Sequence, residues 1–187
     1  MAGIRVIGGR AKGVRLAMVP GEGTRPISDR VKEALFNIIG MEVVDSFWLD
    51  LFAGTGSVGI EALSRGAAWV WFNDSDRRAV RTIIENLSRA KLSEKAKITR
   101  KDAFRLLEDS AGQGFDYVYV APPQYQGLWL RALRLLDERI AWLNPDAWVV
   151  AQMHPREYED LGLTRLEEVD QRRYGNTLLV FYEYPGE

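Results

Sequence analysis

The residues of this sequence that could do chemistry stand where apolar runs end. The run FWLDLF leads into the loop AGTG and then into SVGIEALSRG, which has the pattern of a short helix. Three glycines match the spacing G-x-G-x-x-G, namely Gly54, Gly56 and Gly59. Asp74 ends the next apolar run, 20 residues beyond Gly54, where an acid can bind ribose hydroxyls. The pattern predicts a cofactor that contains a nucleoside, although a tight strand-to-helix turn alone could also require the glycines.

The type of cofactor depends on Asp50, which directly precedes the glycine loop. A fixed negative charge there would oppose a pyrophosphate and would suit a cationic ligand. S-adenosylmethionine carries a sulfonium and an amino group, and its single ribose needs an acid such as Asp74. Asp102, at the end of the third predicted strand, is placed to accept from the adenine amino group, or it simply caps the helix that follows. Three acids at three successive strand ends favour S-adenosylmethionine over NAD.

Composition excludes several other chemistries. The chain has no cysteine and a single histidine, His154, so disulfides, thiolate ligands, cysteine nucleophiles and multi-histidine metal centres are ruled out and no metal is expected. No apolar run approaches the roughly 20 residues that span a bilayer, and the N-terminus lacks the apolar core of a secretory signal. We therefore expect a soluble, cytoplasmic protein without a membrane partner.

Charge is distributed unevenly along the chain. The whole chain carries −1, whereas residues 1–32 contain seven basic and two acidic residues, a net charge of +5. This asymmetry predicts a basic arm that binds nucleic-acid phosphates, although a solvated and poorly packed N-terminus would look the same. The candidate phosphate ligands are Arg5, Arg10, Lys12, Arg15, Arg25 and Arg30.

The elements that must position these residues alternate between strand and helix. Short apolar segments around Gly8 and Gly9 predict a hairpin-like arm, and SDRVKEALFNIIG predicts a helix capped by Ser28 and ended by Gly40. Strands and helices then alternate to the end of the chain, where two strands follow each other without a helix. This order predicts an α/β fold with a mostly parallel sheet and one antiparallel strand. We expect a single domain over residues 1–187, with 1–27 as basic arm and connector and 28–187 as Rossmann-like core.

Four segments together resemble one family. VIGGRAKGVRL, TRPISDRVKEALFNIIG, LDLFAGTGSVGIEALSRGA and the later strand with its double proline are similar, in matching order, to the RsmD family of bacterial 16S rRNA (guanine-N2)-methyltransferases. The resemblance implies a class I S-adenosylmethionine-dependent methyltransferase fold, with seven strands in the order 3-2-1-4-5-7-6 and strand 7 antiparallel. It also implies an enzyme that methylates N2 of one guanine in the 30S subunit or an assembly intermediate. We expect the protein to be a monomer.

The resemblance assigns roles to particular residues. Asp50 and the loop would hold the methionine part, Asp74 the ribose, and Asp102 with Ala103 the adenine, while the segment around Thr24 would close over the methionine end. The loop residues concerned are Phe52, Ala53, Gly54, Thr55 and Gly56. The basic arm would lie on rRNA phosphates, which gives position and salt-dependent affinity without reading sequence.

The double-proline loop VAPPQYQG departs from the pattern of related amino-methyltransferases, which carry [DN]-PP-[YF] at this point. There the first side chain and a backbone carbonyl accept from the amino group, and the aromatic ring stacks on the base. The prolines fix the direction of carbonyls because they carry no N–H. The residues here are Ala121, Pro122, Pro123, Gln124 and Tyr125.

Two hypotheses follow for this loop. The side chain of Ala121 cannot accept a hydrogen bond, so a rearranged acceptor set would use Gln124, with Tyr125 stacking one residue late. Gln152 would lie nearby, unless it is only a helix-end or surface amide. The alternative is a weakly active or inactive paralogue that serves as an RNA-binding assembly factor. An NAD-dependent reductase would rest on the glycine spacing alone, and Asp50 argues against it.

Overall fold

The structure, a computed structural model, describes residues 3–21 and 25–187. In the described part of residues 1–101 the elements are β1 Ile4–Arg5, β2 Arg15–Leu16, α1 Asp29–Ile39, β3 Phe47–Asp50, α2 Ser57–Ser64, β4 Trp69–Asp74, α3 Arg77–Ala90 and β5 Ala96–Arg100. Beyond them lie α4 Ala103–Glu108, β6 Phe115–Val120, α5 Leu128–Glu138, β7 Leu143–Met153, β8 Glu167–Tyr174 and β9 Thr177–Tyr184. Each helix and strand predicted from the patterns is present.

Strands β3 to β9 form one seven-stranded sheet in the order β5-β4-β3-β6-β7-β9-β8. Counted from β3, this is the order 3-2-1-4-5-7-6. Strand β9 runs antiparallel to both β7 and β8, whereas β3, β4 and β5 pair in parallel, as do β6 and β7. The fold class predicted from the sequence is confirmed.

The chain divides into two compact units, Met1–Lys101 and Asp102–Glu187. The expectation of a single domain, with residues 1–27 as arm and connector, stays a prediction. Within residues 3–21 and 25–187, no helix has both the length and the apolar character needed to cross a membrane.

Helix α3 illustrates why these segments form in the N-terminal unit. Its buried residues follow the pattern i, i+3, i+4, i+7, i+8, i+11, which places them on one face: Ala79, Thr82, Ile83, Asn86, Leu87 and Ala90. Asp76 caps its start by accepting from the N–H of Arg78, and Lys91 ends it in the left-handed conformation. In the same way Ser28 caps α1 and Gly40 ends it, as predicted.

The basic arm is packed against the rest of the N-terminal unit. Strands β1 and β2 are only two residues each, too short to be stable alone, but Ile4, Val6 and Leu16 are buried. The chain passes so close to α2 at Gly9 that a Cβ there would lie 1.9 Å from the carbonyl oxygen of Ser64. The alternative of a poorly packed N-terminus is therefore wrong for the described residues.

A buried carboxylate fixes the arm. Glu61 in α2 accepts from the backbone N–H groups of Ile7 and Gly8, both at 2.9 Å, with a different oxygen for each. Its oxygens also pair with Lys32 Nζ at 3.3 Å and Arg65 Nε at 2.8 Å. The side chains of Lys32 and Glu61 are both 0% exposed, so each charge is compensated inside the protein.

Lys32 extends this network in two directions. Its ammonium donates to the carbonyl oxygen of Arg5 at 2.6 Å and to the hydroxyl of Ser57, the first residue of α2, at 3.0 Å. Burial lowers the pKa of Lys32, and the nearby Glu61 carboxylate opposes that shift. Lys32 therefore contributes to the positive charge of residues 1–32 without being available to phosphates.

In the C-terminal unit, charged side chains protect the outer strand. Most of β8 is exposed, and it carries Glu167, Asp170 and Arg172 among other charged residues, which discourage pairing with another chain. Asp137 in α5 fixes the segment before β8 by accepting from the N–H groups of residues 164–166. Burial would raise the pKa of Asp137, but these hydrogen bonds outweigh it and lower the pKa.

We predict that Lys32→Met lowers the free energy of unfolding by about 3–5 kcal/mol, because it leaves buried Glu61 short of a counter-charge. The matched control is Arg5→Ala, which removes an ion pair with Asp29 whose side chains are 64% and 37% exposed. That exposed pair should contribute less than about 1 kcal/mol. Urea unfolding of both variants measures the difference, and equal losses would contradict the role given to Lys32.

Candidate functional site

The glycine loop joins β3 to α2 and is held in a left-handed conformation. Gly54 and Gly56 have φ values of 56° and 78°. Gly59 lies in α2, where a Cβ would approach the ring of Phe72 to 2.3 Å, so this glycine allows the helix to pack closely on the sheet. The three glycines predicted from the spacing thus serve the turn and the packing that a nucleotide-binding loop requires.

Asp50, at the end of β3, is bonded to the helix that follows this loop. Its side chain is 1% exposed, and its carboxylate accepts from the N–H of Gly59 at 3.2 Å. Burial raises the pKa of Asp50 to about 7, an effect that the Gly59 hydrogen bond opposes and the charge of Asp74 reinforces. The sequence predicts a fixed negative charge facing the ligand, whereas the structure shows a carboxyl group that is buried and bonded to Gly59.

Asp74 ends β4 and holds the loop from the side. One carboxylate oxygen accepts from the N–H of Gly54 at 2.9 Å, and the other accepts from the N–H of Asp76 at 2.9 Å. Neighbouring Asn73 is fully buried, and its amide donates to the carbonyls of Leu51 and Lys101. Asp74 is half-buried and lies at the strand end predicted from the sequence.

Asn86 connects the loop to the arm, a role the sequence did not reveal. Its amide nitrogen donates to the carbonyls of Thr55 at 2.9 Å and Ala17 at 3.0 Å, while its oxygen accepts from the N–H of Ala17 at 2.7 Å. The residue is 0% exposed. The available signal was a polar residue on the apolar face of α3, which indicates a buried hydrogen-bonding role.

The remaining predicted cofactor residues have different surroundings. Asp102 caps α4 by accepting from the N–H groups of Phe104 and Arg105, both at 3.0 Å, so the capping alternative is confirmed. Ala103 is buried and Phe52 is half-buried. Thr24 lies outside the described residues. The adenine role of Asp102 and Ala103 stays a prediction.

The double-proline loop follows β6 in the C-terminal unit. Pro122 is buried, Ala121 is half-buried, and Pro123 and Gln124 are exposed. Tyr125 is 63% exposed and has a φ of 60°, a left-handed conformation that costs a residue with a side chain about 1–2 kcal/mol. An exposed aromatic ring held in a strained conformation is typical of a binding loop.

Two residues that the sequence did not single out for this loop hold it in place. The carboxylate of Glu157 accepts from the N–H of Tyr125 at 2.6 Å and from the N–H of His154 at 3.1 Å. The imidazole of His154 lies beside the Tyr125 ring, with 5.5 Å between ring centroids. Gln152, in β7, accepts from the hydroxyl of Tyr119, so it is bonded within the unit and is not a free surface amide.

The predicted phosphate ligands lie on the surface. Arg5 pairs with Asp29, and Arg10 donates to the carbonyl of Lys91 at 3.2 Å, yet both side chains are exposed. The others are exposed as well: Lys12, Arg15, Arg25 and Arg30. In residues 3–21 and 25–187, no group of three or more histidine or acidic side chains is arranged to hold a metal ion.

The strand order and the glycine loop after β3 define a protein with the class I S-adenosylmethionine-dependent methyltransferase fold. The solved structure of yhhF from Escherichia coli superposes with a TM-score of 0.86 at 30% identity, covering 98% of both chains. An RNA methyltransferase from Salinibacter ruber in complex with S-adenosyl-L-homocysteine has a TM-score of 0.68, covering 87% of this chain and 95% of that chain. At 18% identity, the latter likeness shows the fold alone.

Sequence relatives identify the family within that class. The family described as Conserved hypothetical protein 95 matches residues 4–183. YlbH of Bacillus subtilis (strain 168) is 40% identical over 191 residues, covering 98% of this chain and all of the relative. The Ribosomal RNA small subunit methyltransferase D of Escherichia coli (strain K12) is 36% identical over 149 residues, covering 80% of this chain and 74% of the relative. The chain belongs to the RsmD family, as its motifs indicated.

We predict that Asp50 makes stability depend on pH. Its folded-state pKa of about 7 lies above the ordinary 3.8, so the folded protein binds more protons between these values and loses stability as pH rises through them. Relative to Asp50→Asn, the wild type should lose up to about 1.4 kcal/mol per pH unit in that window and no more above it. Urea unfolding of both proteins from pH 5 to pH 8 tests this, and a constant difference would show that Asp50 is fully ionised at neutral pH.

Proposed function

We propose that the protein transfers a methyl group from S-adenosylmethionine to the exocyclic N2 of a guanine in 16S rRNA, within the 30S subunit or an assembly intermediate. The observation that carries the proposal is membership of the RsmD family over residues 4–183. A relative named for methylation of small-subunit ribosomal RNA supports the substrate class. The supported glycine loop and the half-buried Asp74 fit the cofactor.

Residues of the N-terminal unit would hold the methionine part and the ribose of the cofactor. Asp74 would accept from the ribose hydroxyls, and the backbone of the loop around Gly54 and Gly56 would lie against the methionine part. Asp50 would act through α2, the helix that follows the loop, because its carboxyl is buried and bonded to Gly59. The cofactor supplies an electrophilic methyl group, and what remains for the protein is to orient the base.

Guanine N2 is a poor nucleophile because its lone pair delocalises into the ring. A site helps by accepting hydrogen bonds from the amino group and by aligning N2 with the methyl group, which requires the base to leave its stack. We assign acceptance to Gln124 and to backbone carbonyls fixed by Pro122 and Pro123, and stacking to Tyr125. After transfer, the positively charged N2 releases its proton to solvent, so the step needs no strong base at Ala121.

The arm would place the enzyme on its substrate. Exposed cations such as Arg10 and Lys12 would contact rRNA phosphates, and the buried bonds to Glu61 would hold the arm at a fixed position. Such contacts raise affinity in a salt-dependent way without selecting the nucleotide.

Ala121 favours a second candidate, an RNA-binding assembly factor with weak or no methyltransferase activity. Methylation of 30S particles with labelled S-adenosylmethionine, followed by nucleoside mapping, separates the two. The proposal expects label in N2-methylguanosine at one position. Tight particle binding with no label in any nucleoside would favour the assembly factor.

We predict that Gln124→Ala lowers the turnover of 30S particles about tenfold, the effect of losing one hydrogen bond to the amino group. Ala121→Asp restores the acidic residue of related loops, and we expect it to change turnover less. The rearranged acceptor set would be wrong if Ala121→Asp raised activity strongly while Gln124→Ala had no effect.

We predict that Asp74→Ala weakens the binding of S-adenosyl-L-homocysteine by about 10- to 100-fold, the range expected for hydrogen bonds to a charged acceptor. The control is Asp76→Ala, which removes a neighbouring carboxylate that bonds Arg78 and keeps the Asp74 bonds to Gly54 and to the backbone of residue 76. Calorimetric titration measures both, with NAD as a competing ligand. Selective binding of NAD by the wild type would overturn the cofactor assignment.

A further inference from the structure

The double-proline loop has to compensate for two changes from the pattern of related loops. Position 121 has no polar side chain, and position 124, where related loops carry an aromatic residue, is Gln124. The aromatic ring comes one residue later, at Tyr125. Moving the ring one residue along the chain changes the direction in which it points. The ring of Tyr125 therefore needs contacts that hold it in a defined position.

The first of these contacts involves the backbone of Tyr125. A φ of 60° turns this residue into the left-handed conformation, and the N–H of Tyr125 then donates to Glu157 at 2.6 Å. The acceptor is a carboxylate, so the hydrogen bond is charge-assisted and among the stronger ones that a surface loop can form.

Glu157 is itself held in place. Its second oxygen accepts from the N–H of His154 at 3.1 Å, at the start of the short turn Pro155–Glu157 that follows β7. One carboxylate thus joins the loop after β6 to the turn after β7, and β6 and β7 are paired in parallel. The loop is therefore tied to the sheet of the C-terminal unit at a second point.

His154 completes the arrangement. Its Nδ1 accepts from the N–H of Arg156 at 3.1 Å, which fixes the orientation of the imidazole. The imidazole supports the ring of Tyr125 at a centroid separation of 5.5 Å and an interplanar angle of 36°. Because Tyr125 remains 63% exposed, much of its ring is open to a ligand.

We propose that Glu157 and His154 are positioning residues that hold the Tyr125 ring as the stacking surface for the acceptor guanine, in place of an aromatic side chain at position 124. This inference rests on the proposed function and adds to it the two residues through which the rearranged loop works. Stacking on an aromatic ring suits a flipped base because every base presents a flat face.

The first test is kinetic and uses 30S particles from a strain that lacks the protein. Tyr125→Ala should lower kcat/KM about 10- to 100-fold, the range for loss of one base–aromatic stack, and Tyr125→Phe should lower it far less. Glu157→Ala should also lower it about tenfold or more, because small displacements of a positioning group are costly. The Kd for S-adenosyl-L-homocysteine should change less than about twofold in each, since neither Tyr125 nor Glu157 is among the residues proposed to hold the cofactor.

The double variant separates positioning from independent action. If Glu157 acts through Tyr125, then Tyr125→Ala/Glu157→Ala should be no worse than Tyr125→Ala alone, because the second change has nothing left to displace. The matched control is Glu159→Ala, an exposed carboxylate two residues further on, which should behave as the wild type. If the fold losses in kcat/KM of the two single variants multiplied in the double variant, the proposal would be overturned.

The second test does not depend on activity. Amide hydrogen exchange at Tyr125, followed by NMR, should be slowed in the wild type and about tenfold or more faster in Glu157→Ala, with Glu157→Gln between them. Equal exchange in the wild type and Glu157→Ala would overturn the role of Glu157. If the wild type methylated no RNA, the proposed function and the stacking role would fail together, whereas the exchange data would still decide whether Glu157 holds the loop.

Discussion

The interaction on which the N-terminal unit depends is the buried carboxylate of Glu61. It compensates two orphan N–H groups of the arm and two cations, Lys32 and Arg65, one of which has no access to water. A buried charge of this kind is tolerated only when every partner is in place, so it specifies one position for the arm. The two-residue strands of the arm could not do so alone.

The same polar network reaches the glycine loop. Lys32 bonds Ser57 at the start of α2, and Asn86 bonds both Thr55 in the loop and Ala17 in the arm. The acids Asp50 and Asp74 complete the support from β3 and β4. Within this unit, therefore, most polar side chains around the loop bind the backbone, including Asp74, which is half-buried. A loop held in this way would lower the ordering cost of binding the proposed cofactor.

The C-terminal unit uses the same strategy with different residues. The charged residue in this unit is Glu157, and its carboxylate also accepts hydrogen bonds from backbone N–H groups, those of Tyr125 and His154. The groups that would contact the proposed guanine are neutral: the Gln124 amide, backbone carbonyls and the Tyr125 ring. Neutral groups suffice for methylation of an exocyclic amine, because the reaction needs alignment and hydrogen-bond acceptance more than proton abstraction before transfer.

The sequence predicted what local patterns determine. Helix and strand positions followed from periodicity, and the loop glycines from their spacing, because these features depend on neighbouring residues. The arm residues that Glu61 and Asn86 bind, Ile7 and Ala17, lie 54 and 69 residues away along the chain, so no local pattern could reveal these contacts. A local pattern can also have two explanations, as at Asp102. A carboxylate directly before a helix can cap that helix, and this use competes with any role in ligand binding. Glu157 escaped notice because it resembles an ordinary exposed glutamate until the loop after β6 is folded against it.

The most direct test of the account is nucleoside mass spectrometry of 16S rRNA from a strain that lacks this protein, before and after complementation. The account predicts that one N2-methylguanosine is lost in the deletion strain, is restored by the wild-type gene, and is not restored by Asp74→Ala. An unchanged set of modified nucleosides in the deletion strain would contradict it.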